Sequence, residues 1–145
     1  RDCLLSRGLG DVYKRQSAYG SSVDPANGEE RKFPNQKPEV VAPGVNIFST
    51  TSSSLSSPYA YSTGTSDSTV FVSGALAIIL EQFQESIEGS DGIIDASEME
   101  LVKTALATSS DRSNFETDTH DSHSGYGALD LEKWSDEVSF LFNVN

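Results

Sequence analysis

Residues 61–80 read YSTGTSDSTVFVSGALAIIL, a Gly-Thr-Ser turn followed directly by a long apolar run. The apolar side chains from Val70 to Phe83 would point to nearly all sides of a helix rather than to one stripe. We therefore predict a helix that begins near Thr65 and lies in a protein interior. The apolar run from Val70 to Leu80 is interrupted by Ser73 and Gly74 and is too short to cross a bilayer, so no membrane partner is expected.

Ser66 falls in the first turn of this predicted helix, where a serine nucleophile works well. A reactive hydroxyl needs exposure, small neighbours, and backbone N–H groups with a helix dipole facing the developing oxyanion. Gly64 would let the backbone approach a substrate closely, and Gly74 would let another element pack tightly against the helix. Taken alone, however, Gly-Thr-Ser before a helix is more often only an N-terminal cap.

Two further blocks flank this turn in the sequence. Residues 37–50 read KPEVVAPGVNIFST, and residues 125–130 read GYGALD after a helical VKTAL at 102–106. In this order and spacing, from about Lys37 to Trp134, the blocks resemble the catalytic domain of the subtilisin-like serine peptidases, or subtilases. The resemblance implies an α/β fold in which residues 17–145 form the C-terminal part of a three-layer domain, a parallel sheet with helices on both faces.

The resemblance also implies the chemistry. Ser66 would be the nucleophile that forms an acyl-enzyme during peptide-bond hydrolysis, with its own N–H and Thr65 supporting the oxyanion. In subtilases the catalytic Asp and His and the oxyanion Asn lie far upstream of the Ser, so we expect them to be missing from this chain. The isolated fragment would then be inactive, because an unassisted serine hydroxyl is a weak nucleophile. The full-length parent would be a secreted, extracellular, monomeric endopeptidase acting on polypeptides, and calcium is its one conceivable cofactor.

Three residues after the turn depart from the family pattern. Asp67 stands where the family usually has Met, Val70 where it has Pro, and Phe71 where it often has His. A carboxylate at position 67 would oppose negative charge on the oxyanion unless it points away or pairs with another group. Two alternatives therefore stay open: a non-catalytic subtilase homologue (a pseudo-peptidase), and the related acid-acting sedolisins.

The remaining pattern predicts short elements around the central helix. Strands are expected at Pro38–Ala42 and Val45–Thr50, joined by a turn at Pro43-Gly44, with a further short strand near Ser17–Tyr19. Thr51–Ser62 reads as loop. Gly89–Gly92 should end the first helix, and Ser97 with Glu100 offers a capping box for a second one that buries Met99, Val102 and Leu106, with Leu101 as a further candidate. A final helix is expected over Leu129–Phe142.

Charge and composition limit the partners. Residues 1–16 hold four of the ten basic residues, and their DVYKRQ ending resembles the translation of a sequencing-library transposon end, so we interpret them as a non-native artefact. Against two acidic residues in that segment, the remainder carries a net charge of −14 rather than −12. Such a surface is a poor partner for nucleic acid and suits cations better, which leaves a calcium-dependent acidic module as a third hypothesis.

Other chemically suggestive residues have simpler interpretations. His120 and His123, with Asp118 or Asp121, lack any standard metal spacing and are expected to be solvated. Asp91–Glu98 resembles the second half of an EF-hand loop, but the first half would place Ile87 and Gly89 at ligand positions, so a turn and cap are favoured and no metal site is predicted. Tyr59 and Tyr61 either border a substrate cleft or anchor their loop.

Overall fold

The computed structural model describes residues 20–52, 57–89, 91–113, 115 and 119–144. Two strands and three helices follow one another as β1 (Ile47–Thr50), β2 (Tyr59–Ser62), α1 (Thr65–Glu88), α2 (Ala96–Ser109) and α3 (Leu131–Leu141). The segment interpreted as an artefact and the strand expected near Ser17–Tyr19 lie outside the described residues.

The core is formed where the three helices meet. Trp134 of α3 is only 1% exposed, and its indole Nε1–H donates to the carbonyl oxygen of Val102 in α2 at 3.1 Å. Because a buried indole N–H needs a partner, this bond fixes the approach of the two helices. The buried apolar side chains around it come from all three helices: Ala75, Ile79, Phe83, Ile87, Val102, Ala105, Leu106 and Val138.

Helix α1 begins and ends where the sequence predicted, but it is buried on one side only. The buried side chains Ala75, Ile79, Phe83 and Ile87 recur every four residues and therefore share one face. On the opposite side Val70 is 70% exposed, and Ile78 is 51% exposed. The expectation of a helix enclosed on all sides is wrong for this chain, because the described residues that pack against it, from α2, α3 and the 38–42 segment, leave its opposite side exposed.

Length and composition alone would allow α1 to span a membrane, with 22% of its apolar window buried. A core helix of a soluble protein meets the same two criteria. The expectation that the apolar segment is too short to cross a bilayer is therefore wrong by length and composition alone.

Helices α2 and α3 start one residue after an aspartate. Asp95 caps α2 by accepting from the backbone N–H groups of Ser97 and Glu98, and the Glu98 side chain accepts from the Asp95 N–H. The capping box is therefore Asp95 with Glu98, not Ser97 with Glu100, because Ser97 lies inside the first turn and bonds to the Asp95 carboxylate. Val102 and Leu106 are buried as predicted, whereas Met99 is only partly buried and Leu101 is 41% exposed. Asp130 caps α3, which is shorter than the predicted Leu129–Phe142.

The sheet structure is small. β1 pairs with β2 in an antiparallel hairpin, so the prediction of a loop throughout Thr51–Ser62 is wrong for residues 59–62. The predicted strand Pro38–Ala42 makes one parallel bridge, Val41 to Ala128, with the Val41 N–H donating to Gly127 at 2.9 Å. Prolines at 38 and 43 lack an N–H, which limits this pairing. Helices with a small sheet are compatible with an α/β class, but the described residues form no parallel three-layer arrangement.

The turn after α2 requires its glycines. Gly125 has φ +61°, and a β-carbon there would lie 2.3 Å from the Glu39 carbonyl oxygen. Gly127 has φ +129°, and a β-carbon there would lie 2.6 Å from the Asp111 carbonyl oxygen. Side chains at either position would be strained in conformation and would collide with backbone. This turn thereby holds the 38–42 segment against the start of α3.

Candidate active site

The turn that carries Ser66 is bonded to the block of residues 42–46. The Gly64 N–H donates to the Gly44 carbonyl at 2.8 Å, and the Asn46 N–H donates to Thr63 Oγ1 at 2.9 Å. Inside α1 the buried Ser68 hydroxyl donates to the Ala42 carbonyl at 2.9 Å. The two sequence blocks that carry the family resemblance are therefore physically linked.

Ser66 is exposed at the second position of α1. Gly64 is the N-cap residue, and among the described residues it forms no side-chain cap hydrogen bond. Thr65 and Ser66 therefore lie inside the helix and are not its cap, contrary to the simplest interpretation of Gly-Thr-Ser. The first N–H groups of a helix lack intrahelical acceptors and carry the positive end of its dipole, so negative charge is stabilised beside Ser66.

Asp67 points back toward the N-terminus of α1. Its carboxylate accepts a hydrogen bond from the Ser62 hydroxyl at the end of β2. A β-carbon placed on Gly64 would lie 3.6 Å from Asp67 Oδ2 and 3.8 Å from the Ser66 nitrogen. The acidic side chain thus lies close to the N–H groups that an oxyanion would use, although it is paired with a hydroxyl rather than a cation.

Gly64 and Gly74, the two glycines singled out in the sequence, have few close neighbours among the described residues. Gly64 has extended backbone angles, and a β-carbon there would make only ordinary contacts. Gly74 lies on the exposed side of α1, and a β-carbon there would have nothing within 4 Å among the described residues. Their proposed roles in admitting a substrate and a packing element stay predictions.

An apolar groove of about 520 Å³ runs beside the first half of α1. Its walls are the 38–42 segment, α1 from Thr65 to Leu76, and α2 around Val102 and Leu106. Thr65 lines the groove at the end nearest Ser66.

His120 contacts the 38–42 segment and Tyr126. Its Nε2 lies 2.9 Å from the Pro38 carbonyl oxygen, and its ring packs edge-on against Tyr126 at 4.7 Å. His123 is exposed, and its backbone N–H donates to the Asp121 carboxylate at 2.7 Å. Asp118 lies outside the described residues. The described histidines therefore help hold the turn of residues 120–126, and the prediction that both are solvated is wrong for His120.

Asp121 is the centre of that turn. Burial alone would raise the pKa of Asp121, but hydrogen bonds from Ser124 and from the His123 N–H, with the nearby Arg112, outweigh burial and lower the pKa. Arg112 also donates to the Gly125 carbonyl at 2.8 Å. The charges here stabilise a turn and are not arranged as a catalytic pair.

Glu39 joins the 38–42 segment to α2. Burial would raise the pKa of Glu39, but the ammonium groups of Lys37 and Lys103 outweigh burial and lower the pKa. Lys103 Nζ lies 3.3 Å from the Glu39 carboxylate. This pair fixes one wall of the groove.

The residues resembling half an EF-hand act as a turn and a cap, as predicted. Asp91 accepts from the Ile93 N–H at 3.1 Å, and Asp95 caps α2. Hydrogen bonds from Ser97 and Glu98 lower the pKa of Asp95 to about 2. Among the described residues, no group of three or more His, Cys, Asp or Glu side chains is placed to hold a metal ion.

Sequence reasoning missed two polar residues that shape the site, Ser62 and Ser68. Ser68 lies among other Ser and Thr residues at the start of α1, so no signal in the sequence indicated its hydrogen bond to the Ala42 carbonyl. Ser62 gave no signal either, because it lies in a Ser/Thr-rich stretch.

The model of the subtilase family, Peptidase_S8, matches residues 13–127. This range includes Ser66, its turn and the 42–46 block that holds it, and it begins inside the segment 1–16, so the boundary at residue 16 stays a prediction. The chain belongs to the subtilase family, whose members are serine peptidases. No curated protein and no solved structure matched the chain.

Proposed function

We propose that this polypeptide is part of a serine endopeptidase in which Ser66 is the nucleophile. The observation that carries the proposal is the exposed Ser66 in the first turn of α1, beside the N–H groups of a helix start whose N-cap residue, Gly64, has no side chain to bond them. Membership of the subtilase family supports serine-peptidase chemistry, and the bonded turn supplies a place for it.

In the proposed reaction Ser66 Oγ attacks the carbonyl carbon of the scissile peptide bond. A general base accepts the hydroxyl proton and returns it to the leaving amine as the C–N bond breaks, which leaves an acyl-enzyme that water hydrolyses. The Ser66 N–H, with Thr65 beside it, stabilises the oxyanion. His120 is engaged with Pro38 and Tyr126, and we propose that the base and its orienting carboxylate come from polypeptide outside this chain.

The exposed side of α1 supports the proposal that the catalytic base and its carboxylate lie outside this chain. At 100° per residue, Ser66, Val70, Gly74 and Ile78 fall within one arc of the helix, opposite the buried arc of Ala75 and Ile79. Polypeptide that covers the Val70 end of this apolar arc lies about one helical turn from Ser66. We propose that the covering layer is the rest of a parallel-sheet, three-layer domain, and that it carries the missing Asp, His and Asn.

Labelling with a fluorophosphonate probe tests the proposal. The 145-residue chain alone should label slowly, and the chain joined to its upstream coding sequence should label rapidly at Ser66. The Ser66→Ala variant of the joined protein is the control and should not label. Rapid labelling of the isolated chain would refute the need for outside residues, and no labelling of the joined protein would refute the nucleophile.

A pseudo-peptidase is the second candidate, favoured by the Asp67 carboxylate close to the first N–H groups of α1. It predicts that the joined protein binds polypeptide without acylation. A sedolisin-like acid peptidase would instead label only at low pH. For the active parent we further propose an extracellular, monomeric enzyme whose partner is a polypeptide substrate rather than nucleic acid or membrane, with calcium as its one candidate cofactor.

A further inference from the structure

The β1–β2 hairpin presents three aromatic rings on one exposed face. Phe48 pairs directly with Tyr61, and their ring centroids lie 5.1 Å apart. Tyr59 stacks on Phe48 at 5.5 Å. Directly paired residues share a face, as do residues two apart in a strand, so these three rings and Thr50 form one surface, here called the aromatic face.

The rings of the aromatic face are exposed although they are large and apolar. Phe48 is 60%, Tyr59 51% and Tyr61 71% exposed. Three clustered aromatic rings in solvent are unfavourable for an isolated domain, and such clusters mark interaction sites. The described part of the face carries no charged side chain, so its partner is recognised by apolar contact and by the two tyrosine hydroxyls.

The hairpin that carries the aromatic face leads directly into the turn of Ser66, and Ser62 lies on the opposite face of the hairpin from Tyr61. β2 ends at Ser62, whose hydroxyl is bonded to Asp67 next to Ser66. Asn46, immediately before β1, is bonded to Thr63. Tyr61 precedes Ser66 by five residues, so the two lie within about 18 Å even if that backbone were fully extended. An extended peptide covers the same distance with about five residues.

We propose that the aromatic face binds an aromatic or large aliphatic side chain of the polypeptide substrate, within about five residues of the scissile bond. The proposal rests on the assignment of Ser66 as nucleophile, since that assignment makes a polypeptide the molecule that lies beside the hairpin. A second copy of this chain is a poorer occupant, because each copy carries a formal charge of −12 and two copies repel one another.

Peptide titration of the 145-residue chain by NMR tests the proposal without requiring catalysis. The probes are two capped pentapeptides, Gly-Ser-Phe-Ser-Gly and Gly-Ser-Ala-Ser-Gly. We expect the Phe peptide to bind more tightly, with each contacting ring contributing about two- to tenfold in Kd. Phe48→Ser and Tyr61→Ser should each weaken binding of the Phe peptide by that factor. Phe140→Ser, the same substitution at a 75% exposed Phe of α3, is the matched control and should leave Kd unchanged.

Each other outcome overturns the proposal. Equal binding of the two peptides, or equal losses in Phe48→Ser and Phe140→Ser, would show that the face does not select the side chain. A dimer in sedimentation that Phe48→Ser dissociates would show that the face joins two copies. Tyr61→Ser provides an independent test if Phe48→Ser does not fold, as judged by Trp134 fluorescence.

The two proposals fail in different ways. Ser66→Ala should leave the Kd of the Phe peptide unchanged, because binding needs no nucleophile. Loss of fluorophosphonate labelling with retained peptide selectivity would refute the nucleophile and leave the aromatic face as a binding surface. Rapid fluorophosphonate labelling of the joined protein, together with equal Kd values for the Phe and Ala peptides, would refute the aromatic face as a substrate-binding surface and leave Ser66 as the nucleophile.

Discussion

Replacement of Asp67 by Asn should make the protein less stable and its serine more reactive. The carboxylate lies in the first turn of α1, where negative charge is stabilised by the helix dipole. The same charge opposes the oxyanion that forms beside the Ser66 N–H. Asn keeps the shape and the acceptor for Ser62 but removes the charge, so the two effects have opposite signs.

Both magnitudes follow from the geometry. An acidic residue in a first helical turn contributes about 0.3–1 kcal/mol, so Asp67→Asn should lower the free energy of unfolding by that amount. The β-carbon position on Gly64 puts Asp67 Oδ2 within about 7 Å of the Ser66 nitrogen. At that distance two negative charges repel by about 0.6 kcal/mol in water and about 2.4 kcal/mol at an effective dielectric constant of 20. Removal of the charge should therefore accelerate acylation by roughly 3- to 60-fold.

Two assays separate the effects. Urea unfolding of the 145-residue chain, followed by the fluorescence of its single tryptophan, gives the stability change. The rate of fluorophosphonate labelling in the protein joined to its upstream sequence gives the reactivity change. Ser62→Ala is the control, because it removes the hydrogen-bond partner of Asp67 and keeps the charge; it should lower stability without accelerating labelling.

If Asp67→Asn labels no faster than the parent protein at low salt, the Asp67 carboxylate does not repel the oxyanion at Ser66. Equal acceleration in Ser62→Ala would also refute that repulsion, since the cause would then be loosening of the turn rather than loss of charge. An increase in stability on Asp67→Asn would show that the carboxylate does not interact with the helix dipole.

Three further predictions concern the scaffold. Gly125→Ala should cost at least about 2 kcal/mol in urea unfolding, because of its positive φ and the contact with Glu39, whereas the same substitution at exposed Gly74 in α1 should stabilise the chain by about 0.5–1 kcal/mol. Equal effects at the two positions would contradict the turn geometry. Trp134→Ala should cost about 3–5 kcal/mol by circular dichroism in urea, and a loss below about 1 kcal/mol would contradict its burial. Because the pKa of Asp95 is about 2 in the folded chain against 3.8 ordinarily, its stabilisation should be full above about pH 4 and lost as pH falls toward 2. Asp95→Asn should remove that part of the acid dependence, and an unchanged difference between unfolding midpoints at pH 5 and pH 3 would refute the cap.

Local signals predicted the helices well and the hairpin poorly. The start of α1 at Thr65 followed from the change from polar to apolar residues, and its end followed from Gly89. The second strand was missed, although Tyr59-Ala60-Tyr61-Ser62 alternates large and small residues as strands do. Its position in a Ser-rich stretch hid that alternation. The cap of α2 was displaced by two residues because Asp95 and Glu98 have the same spacing as Ser97 and Glu100.

The position of Ser66 could be predicted, but its surroundings could not. The exposure of a residue in the first turn of a helix follows from local sequence, and Ser66 is exposed in the structure. The orientation of Asp67 depends on a hydroxyl from β2, and burial of Ser68 depends on a carbonyl 26 residues earlier. Such contacts are tertiary, and no local pattern encodes them.

The apolar composition of α1 connects the scaffold to the proposed chemistry. A helix that is apolar on all sides gains stability only when both sides are covered, and the described residues cover the side of Ala75 and Ile79. The uncovered arc contains Ser66 at one end and Gly74 in the middle, where the lack of a side chain permits close backbone approach. The same layer that buries Val70 would therefore bring its own side chains to the hydroxyl. On this proposal, the layer that covers the exposed side of α1 also completes the catalytic site. Gly74→Ala should therefore stabilise the isolated chain, but it should slow labelling of Ser66 in the joined protein because the added methyl group keeps the covering layer away from α1.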